Sequence, residues 1–327
     1  MSLPSFQLLR PKALDEAIAS LSKLADEVKI IAGGTDVLPS MKQKLFTPPY
    51  VLDLRGIAEL RGIHATADGG VRIGALTTLA AIEHSPLIQR DFEVLYEAAK
   101  TVASPVLRNM GTLGGNICLD TRCLWYNQSL LWRKSCGFCL KKDGDLCHVA
   151  PGGKTCWAAF SGDTPPALLC LGAEVEIAGP DGLRRVPLAE FFVNDGIVRL
   201  HLSGSEIVTR IFLPETAKGW RGSYQKLRVR GSIDYPLAGV AVALKMRNGR
   251  VADARMAITA VNPAPHMIKD ADLHLIGAEV GEELAEKVGE FAARTAKPLT
   301  TSALTPEYRR EMVRVFAKRA LLQAAAN

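Results

Sequence analysis

The sequence predicts two α/β units followed by an α+β unit, and three observations support this fold class. A chain of 327 residues is longer than one compact core usually requires, so more than one domain is expected. Helical and strand patterns alternate in the first two thirds of the chain. The last hundred residues instead contain two long strand patterns followed by two helical ones. We place the units at residues 1–56, 57–220 and 221–327.

The first unit has the patterns of a small α/β fold. Apolar residues recur at a helical period over 13–24 and lead into the β-branched segment Val28-Lys29-Ile30-Ile31-Ala32. A second helix is predicted over 37–44. Pro48 and Pro49 end it before a strand at 50–54.

The second unit has regular patterns on both sides of an irregular stretch. A strand at 71–74 and helices at 78–83 and 92–103 come before that stretch, and a strand at 173–177 comes after it. Between about 119 and 160 neither a helical nor a strand period persists. Loops this long are uncommon unless something organises them, so we interpret this window as an insertion.

The third unit pairs strands with helices. Segments 237–246 and 254–261 have strand composition and are joined by Arg247-Asn248-Gly249-Arg250, a turn sequence. Helices are predicted over 282–295 and 307–325. This order of strands followed by helices predicts an α+β unit.

Composition and charge exclude several classes of protein. The hydrophobic fraction of 48% is normal for a globular protein, and a net charge of +6 is too small to indicate nucleic-acid binding. No run of about 18 apolar residues is present, and the start has no basic patch followed by an apolar run. We therefore expect a cytoplasmic protein without membrane segments, whose thiols stay reduced.

Two glycine turns predict a bound nucleotide. Ala32-Gly33-Gly34-Thr35-Asp36 lies between a predicted strand and a predicted helix, where glycines let the backbone approach a pyrophosphate. Thr112-Leu113-Gly114-Gly115-Asn116 is a similar turn in the next unit. Neither matches a nicotinamide-dinucleotide or Walker pattern. Each alone could be an ordinary turn, but the pair favours a ligand held between two units.

Six of the seven cysteines lie between Cys118 and Cys156, inside or beside the insertion. Clustered cysteines in a reducing compartment indicate metal or redox chemistry. The spacing matches neither the usual paired zinc motif nor the bacterial ferredoxin run, so zinc and iron–sulfur both remain open. Unligated cysteines packed as small apolar residues are a third possibility. Cys170 lies in an apolar run and is predicted to be a core residue.

The two glycine turns, in this order, resemble the FAD loops of the flavoprotein subunit in the xanthine oxidase family of molybdenum enzymes. Tyr224-Gln225-Lys226-Leu227-Arg228 and Tyr308-Arg309-Arg310-Glu311-Met312 resemble segments of that family's C-terminal flavoprotein domain. The resemblance covers nearly the whole chain. It implies bound FAD, with these contact positions: Ile30, Ile31, Ala32, Gly33, Gly34, Thr35, Asp36, Val37, Val102, Thr112, Leu113, Gly114, Gly115, Asn116, Asp163, Val208 and Lys226.

The insertion resembles that of the 4-hydroxybenzoyl-CoA reductase branch of the same family, through Asp120-Thr121-Arg122-Cys123-Leu124-Trp125-Tyr126-Asn127-Gln128-Ser129. This resemblance implies a [4Fe-4S] cluster with Cys123, Cys139, Cys147 and Cys156 as ligands. Cys118 would belong to the glycine motif. Cys136 has no place in the pattern and leaves the second ligand open between itself and Cys139.

The resemblance also implies partners and a role. A large subunit would hold the molybdenum cofactor and the substrate, and a small one would hold two [2Fe-2S] clusters, in a heterotrimer that dimerises. This chain would then have no catalytic residues and would relay electrons from a ferredoxin. Basic residues near the insertion are expected to assist docking of that acidic donor: Lys134, Lys141, Lys142 and Lys154. A hydroxylase subunit passing electrons outward, and a zinc-stabilised scaffold, are the alternatives.

Overall fold

The first unit is a small parallel sheet covered by a helix. The computed structural model describes residues 2–327. Strands β1, β3 and β2 pair in that order, all parallel, and Ala17 and Leu21 of α1 pack into the core beneath them. The elements are β1 (Gln7–Leu9), α1 (Leu14–Leu24), β2 (Val28–Ile31), α2 (Val37–Lys42) and β3 (Tyr50–Asp53). The first glycine turn lies at the carboxyl end of β2, where ligands of such sheets commonly bind.

The second unit contains a five-stranded sheet that is antiparallel throughout. Its strands are β4 (Ile63–Ala65), β5 (Val71–Gly74), β6 (Glu174–Gly179), β7 (Gly182–Pro187) and β8 (Ile207–Leu213), in the order β4-β5-β8-β6-β7. Its helices are α3 (Leu79–Glu83), α4 (Pro86–Asp91), α5 (Glu93–Thr101), α6 (Pro105–Arg108), α7 (Leu113–Ile117), α8 (Leu130–Ser135), α9 (Thr164–Cys170) and α10 (Leu188–Phe191). Every residue of α9 is buried, so this helix is central to the molecule.

The cysteine-rich insertion leaves and re-enters the second unit at a single point. Arg122 and Ala159 form an isolated antiparallel bridge, with both N–H···O distances at 2.8 Å. Between them, the only regular element that the structure describes is α8. The two ends of the insertion, at Arg122 and Ala159, lie within the predicted limits of about 119–160.

The third unit is a four-stranded antiparallel sheet with two helices on one face. Its elements are β9 (Arg221–Leu227), β10 (Ala238–Arg247), β11 (Arg250–Thr259), β12 (His266–Met267), α11 (Glu282–Thr295) and α12 (Pro306–Ala326), with the strand order β12-β11-β10-β9. Alternation along β10 determines what each face contacts. Val240, Val242 and Leu244 pack into the core that contains α11 and α12, whereas Ala241 and Ala243 pack against the second unit.

A fully buried arginine connects α12 to the sheet. Arg309 donates hydrogen bonds to the carbonyl oxygens of Leu237, Leu299 and Ala260, at 2.9, 3.0 and 2.5 Å. Burial lowers the pKa of its guanidinium to about 10. Arg309, in the Tyr308–Met312 segment, therefore has a structural role.

The predicted fold class is confirmed, and no helix within residues 2–327 is long and apolar enough to cross a membrane.

Candidate functional site

A cavity of about 1030 Å³ lies where the three units meet. Of the predicted FAD contacts, it is lined by Ile30, Ala32, Gly33, Gly34, Thr35, Asp36, Val37, Val102, Thr112, Gly114, Gly115, Asn116, Asp163 and Val208. Ile31 and Leu113 instead point into hydrophobic cores. Lys226 lies behind the wall and acts through Asp163. A cavity of this size accommodates a dinucleotide cofactor.

The first glycine loop presents a row of free amides. Among the hydrogen bonds of the described residues, none is donated by the backbone N–H groups from Gly33 to Val37. Gly34 has a φ of +76°, a conformation that side chains rarely adopt. A Cβ at Gly33 would lie 2.0 Å from the carbonyl oxygen of Met110. The loop therefore presses against the second glycine turn and has amides available for a pyrophosphate.

The second glycine loop has its amides occupied. The N–H groups of Leu113, Gly114 and Asn116 donate to the carbonyls of Thr77, Ala75 and Thr112, at 2.9–3.0 Å, and Gly115 donates to Thr112 Oγ1 at 3.1 Å. A Cβ at Gly114 would lie 2.7 Å from that of Ala75. The two loops thus differ in chemistry although their sequences look alike. The second shapes and closes the cavity, while the first supplies the donors.

Asp163 is held in the cavity wall by a tyrosine and a lysine of the third unit. One carboxylate oxygen accepts a hydrogen bond from Tyr224 Oη at 2.8 Å and the other accepts from Lys226 Nζ at 3.1 Å. Lys226 also donates to the carbonyls of Thr101 and Asp234. Burial raises the pKa of Asp163, and the Lys226 ammonium opposes that rise. Each carboxylate oxygen keeps one lone pair that can accept from a ligand.

Arg122, at the base of the insertion, connects to the first glycine loop through Asp36. Its Nη2 donates to Asp36 Oδ1 and, at 2.8 Å, to Ser40 Oγ, while Tyr235 from the third unit donates to the same Asp36 oxygen at 2.5 Å. Burial lowers the pKa of Arg122, but Asp36, Tyr235 and Asp120 together outweigh burial, so the pKa of Arg122 is raised. Arg122 Nε is buried without a partner, and the residue lines the cavity. This orphaned donor fits a cavity built for a polar ligand.

We expect Arg122→Gln to weaken FAD binding about 10-fold, equivalent to roughly 1.4 kcal/mol. The substitution leaves the Asp36 carboxylate uncompensated beside the free amides of the first glycine loop, which are expected to hold an anionic pyrophosphate. Flavin fluorescence during reconstitution measures the dissociation constant. Tyr235→Phe is the matched comparison, because it removes a neutral donor from Asp36 but leaves the ion pair, and its effect should be smaller. Equal effects of the two substitutions would contradict this account.

The four predicted metal ligands line one small cavity in the insertion. Cys123, Cys139, Cys147 and Cys156 are all buried and surround it, together with Trp125, Tyr126, Leu140, Lys141, His148, Val149 and Ala158. Cys118 lines the large cavity instead, Cys136 lines neither, and Cys170 is buried in the core as predicted. No carboxylate lines the small cavity. Four buried thiols with no carboxylate in the cavity wall are a donor set suited to iron–sulfur ligation.

Hydrogen bonds to sulfur support two of these thiols. Burial raises the pKa of Cys123, and the backbone N–H groups of Trp125 and Tyr126 oppose the rise. Burial raises the pKa of Cys156 to about 11, against a donor at Ala158 N, 3.5 Å from its sulfur. Ligation of a metal by either thiol would therefore release a proton. N–H···S bonds of this kind also influence reduction potentials.

The spacing of these side chains argues against a single metal ion. Within residues 2–327, no group of three or more His, Cys, Asp or Glu side chains is close enough to share one ion. A tetrahedral zinc site requires its four ligands around one atom. A four-iron cluster spreads its thiolates further apart, because each binds a different iron. The assignment of the four cysteines as [4Fe-4S] ligands stays a prediction.

The four lysines near the insertion have different environments. Lys134 and Lys154 are exposed, and Lys142 pairs with Asp143 at 2.9 Å. Lys141 was expected among the docking residues, and this is wrong. Its side chain is only 7% exposed, because its ammonium turns inward to Asp120.

The fold and these two cavities define a two-loop flavoprotein with a thiol-rich insertion, and comparison with known proteins specifies the family. Residues 4–216 match the family described as FAD binding domain in molybdopterin dehydrogenase. Residues 222–324 match the CO dehydrogenase flavoprotein C-terminal domain. The chain belongs to the FAD-binding subunit family of the molybdopterin dehydrogenases, and it is an electron-transfer flavoprotein of that class.

Known relatives align over the whole chain. It is 30% identical to the carbon monoxide dehydrogenase medium chain of Afipia carboxidovorans, over 99% of this chain and 98% of the relative. It is 29% identical to the nicotine 6-hydroxylase medium subunit of Paenarthrobacter nicotinovorans, over the full length of both. The carbon monoxide dehydrogenase structure from Hydrogenophaga pseudoflava superposes with a TM-score of 0.82 at 30% identity, covering 100% of this chain and 99% of that one.

Proposed function

We propose that this chain is the FAD- and [4Fe-4S]-containing electron-transfer subunit of a molybdenum-dependent 4-hydroxybenzoyl-CoA reductase. Its partners would be a large molybdenum-cofactor subunit and a small subunit with two [2Fe-2S] clusters, in the cytoplasm. The net reaction is reductive removal of the phenolic hydroxyl, giving benzoyl-CoA and water. The observation that carries this proposal is the convergence of four buried thiols on one cavity, in an insertion anchored to the FAD loop.

The chain's own residues would bind and position the two redox groups. When bound, a flavin can exchange one or two electrons and so links one-electron centres to a two-electron reduction. The free amides of Gly33 to Val37 would hold the pyrophosphate, and Asp163, fixed by Tyr224 and Lys226, would accept a hydrogen bond from the nucleotide. The four cysteines would ligate the iron. Asp120, Thr121 and Arg122 form a short covalent connection from the large cavity to Cys123.

A low-potential ferredoxin fits as electron donor at the insertion. Trp132 is 38% exposed, its ring centroid lies 5.4 Å from that of Trp125, and Trp125 stacks on His148 at 4.3 Å. His148 adjoins Cys147 in the cavity wall. The aromatic series therefore leads from the surface to the thiols. Exposed Lys134 and Lys154 would favour encounter with an acidic donor.

The alternative is a hydroxylase subunit that passes electrons outward. It is favoured by the names of the relatives, which are dehydrogenases and a hydroxylase. The zinc-stabilised scaffold is disfavoured, because no described ligand group is close enough for a single ion.

The experiment is anaerobic purification of the whole complex, with subunit identification and analysis of flavin, iron and zinc. We expect one FAD and, on this chain, about four iron atoms, the content of one cluster. Reduced ferredoxin and 4-hydroxybenzoyl-CoA should then yield benzoyl-CoA. A complex that oxidises a substrate and reduces an acceptor, without this dehydroxylation, would favour outward flow. A colourless chain containing zinc would refute both interpretations.

A further inference from the structure

Lys141 is a buried cation with a fixed position between the two cavities. Its ammonium donates to Asp120 Oδ1 at 2.8 Å, Thr121 Oγ1 at 2.6 Å and the Gly196 carbonyl at 2.5 Å. Those three bonds use all the protons of the ammonium. The ammonium also lies 5.0 Å from the centroid of the Tyr126 ring. A lysine held in this way cannot turn to solvent as an ordinary surface lysine does.

A tight turn directs Lys141 inward and its neighbour outward. Cys139 and Lys142 exchange backbone hydrogen bonds, with N–H···O distances of 3.3 and 2.8 Å. Within this turn, Lys141 contributes to the wall of the thiol cavity. Lys142 is absent from that wall and pairs with Asp143 on the surface. Two adjacent lysines therefore differ in environment although their chemistry is identical.

The positive end of the Lys141–Asp120 pair faces the thiols. Lys141 lines the thiol cavity, whereas Asp120 lines the large cavity on the other side. The Asp120 charge is further compensated by Arg199 at 3.7 Å. Because electrostatic interactions weaken with distance and are strong in a buried site, the nearer charge dominates at the sulfurs. Lys141 is the one Lys, Arg, Asp or Glu side chain that lines the thiol cavity.

We propose that Lys141 raises the reduction potential of the cluster held by Cys123, Cys139, Cys147 and Cys156. This inference rests on the proposed function, since it requires the cluster. Reduction adds negative charge to a thiolate-ligated centre, and a fixed cation beside it stabilises the reduced form. The cluster is thereby easier to reduce by an external donor. Lys141 is thus a tuning residue that leaves docking to other side chains.

The test is a redox titration of the anaerobically purified complex. The electron paramagnetic resonance signal of the reduced cluster monitors the titration. Lys141→Met should shift the midpoint potential to a lower value, and Lys141→Arg should shift it much less, because the charge is kept. Lys142→Met is the matched control and should leave the potential unchanged. An unchanged or raised potential in Lys141→Met with full iron would overturn the inference.

A second variant covers the case in which Lys141→Met loses its cluster. Asp120→Asn keeps the size of the side chain and removes the opposing negative charge, so the potential should rise. If that potential does not rise in a variant with full iron, the inference is also overturned. Absence of iron from the unmodified complex would instead refute the proposed function. The two failures are therefore distinguishable.

Discussion

Cys147→Ser is expected to remove the iron of the insertion and to leave FAD bound. A serine hydroxyl is a hard, weakly acidic ligand that replaces a thiolate poorly on iron–sulfur centres. The FAD cavity does not include Cys147, so its lining is unchanged. Iron and flavin analysis of the anaerobically purified complex measures both effects. Full iron occupancy in this variant would refute the ligand assignment.

Cys136→Ser is the matched control for that experiment. Cys136 is in the same insertion but outside the thiol cavity, so its substitution should retain iron and FAD. Loss of iron from this variant would reassign the second ligand from Cys139 to Cys136.

The iron-free Cys147→Ser protein should also be cleaved faster by protease between 123 and 158. The local apolar core there is small, and the proposed metal ligation would supply the remaining stability.

Gly33→Ala is expected to abolish FAD binding and to lower the free energy of unfolding by about 3 kcal/mol, the upper part of the range for overpacking. The added Cβ would lie 2.0 Å from the Met110 carbonyl oxygen, so the two glycine loops must separate. That movement displaces the row of free amides from Gly33 to Val37. Flavin content and thermal unfolding measure the two effects.

Gly152→Ala is the control for the glycine substitution. No atom lies within 4 Å of a Cβ at this position, and its φ is outside the left-handed region. The free energy of unfolding should therefore change by no more than about 0.5 kcal/mol, as for most surface substitutions. FAD should stay at full occupancy. Stoichiometric FAD in Gly33→Ala would show that the close approach of the loops is not needed for binding.

Periodic segments were predictable from the sequence, and exposed or very short ones were not. Helix α12 was predicted at 307–325 and extends over Pro306–Ala326, because its buried positions recur every three or four residues. Strand β7 has five exposed positions and two arginines, so it lacks the alternation that marks a half-buried strand. Strand β1 is three residues long, which is too short to carry a pattern. Strand β8, however, has a β-branched run that should have indicated it.

The site was predictable where it depends on local motifs, and not where distant residues meet. The glycine turns and the cysteines are visible in the sequence. The contact between Asp36 and Arg122 joins residues 86 positions apart, and that between Tyr235 and Asp36 joins residues 199 apart. Nothing local predicts either. Likewise, sequence alone does not distinguish Lys141 from Lys142, because backbone geometry determines which side chain points inward.

The bridge between Arg122 and Ala159 has a consequence for how such a chain can acquire or lose its cysteine-rich insertion. Since the 36 residues between them begin and end side by side, a gene could gain or shed this module in one event. The paths of the two flanking segments would not change. An ancestor of this chain could then have been a FAD-binding protein without the module. Protein engineers could graft the module onto other scaffolds that present two adjacent antiparallel backbone segments.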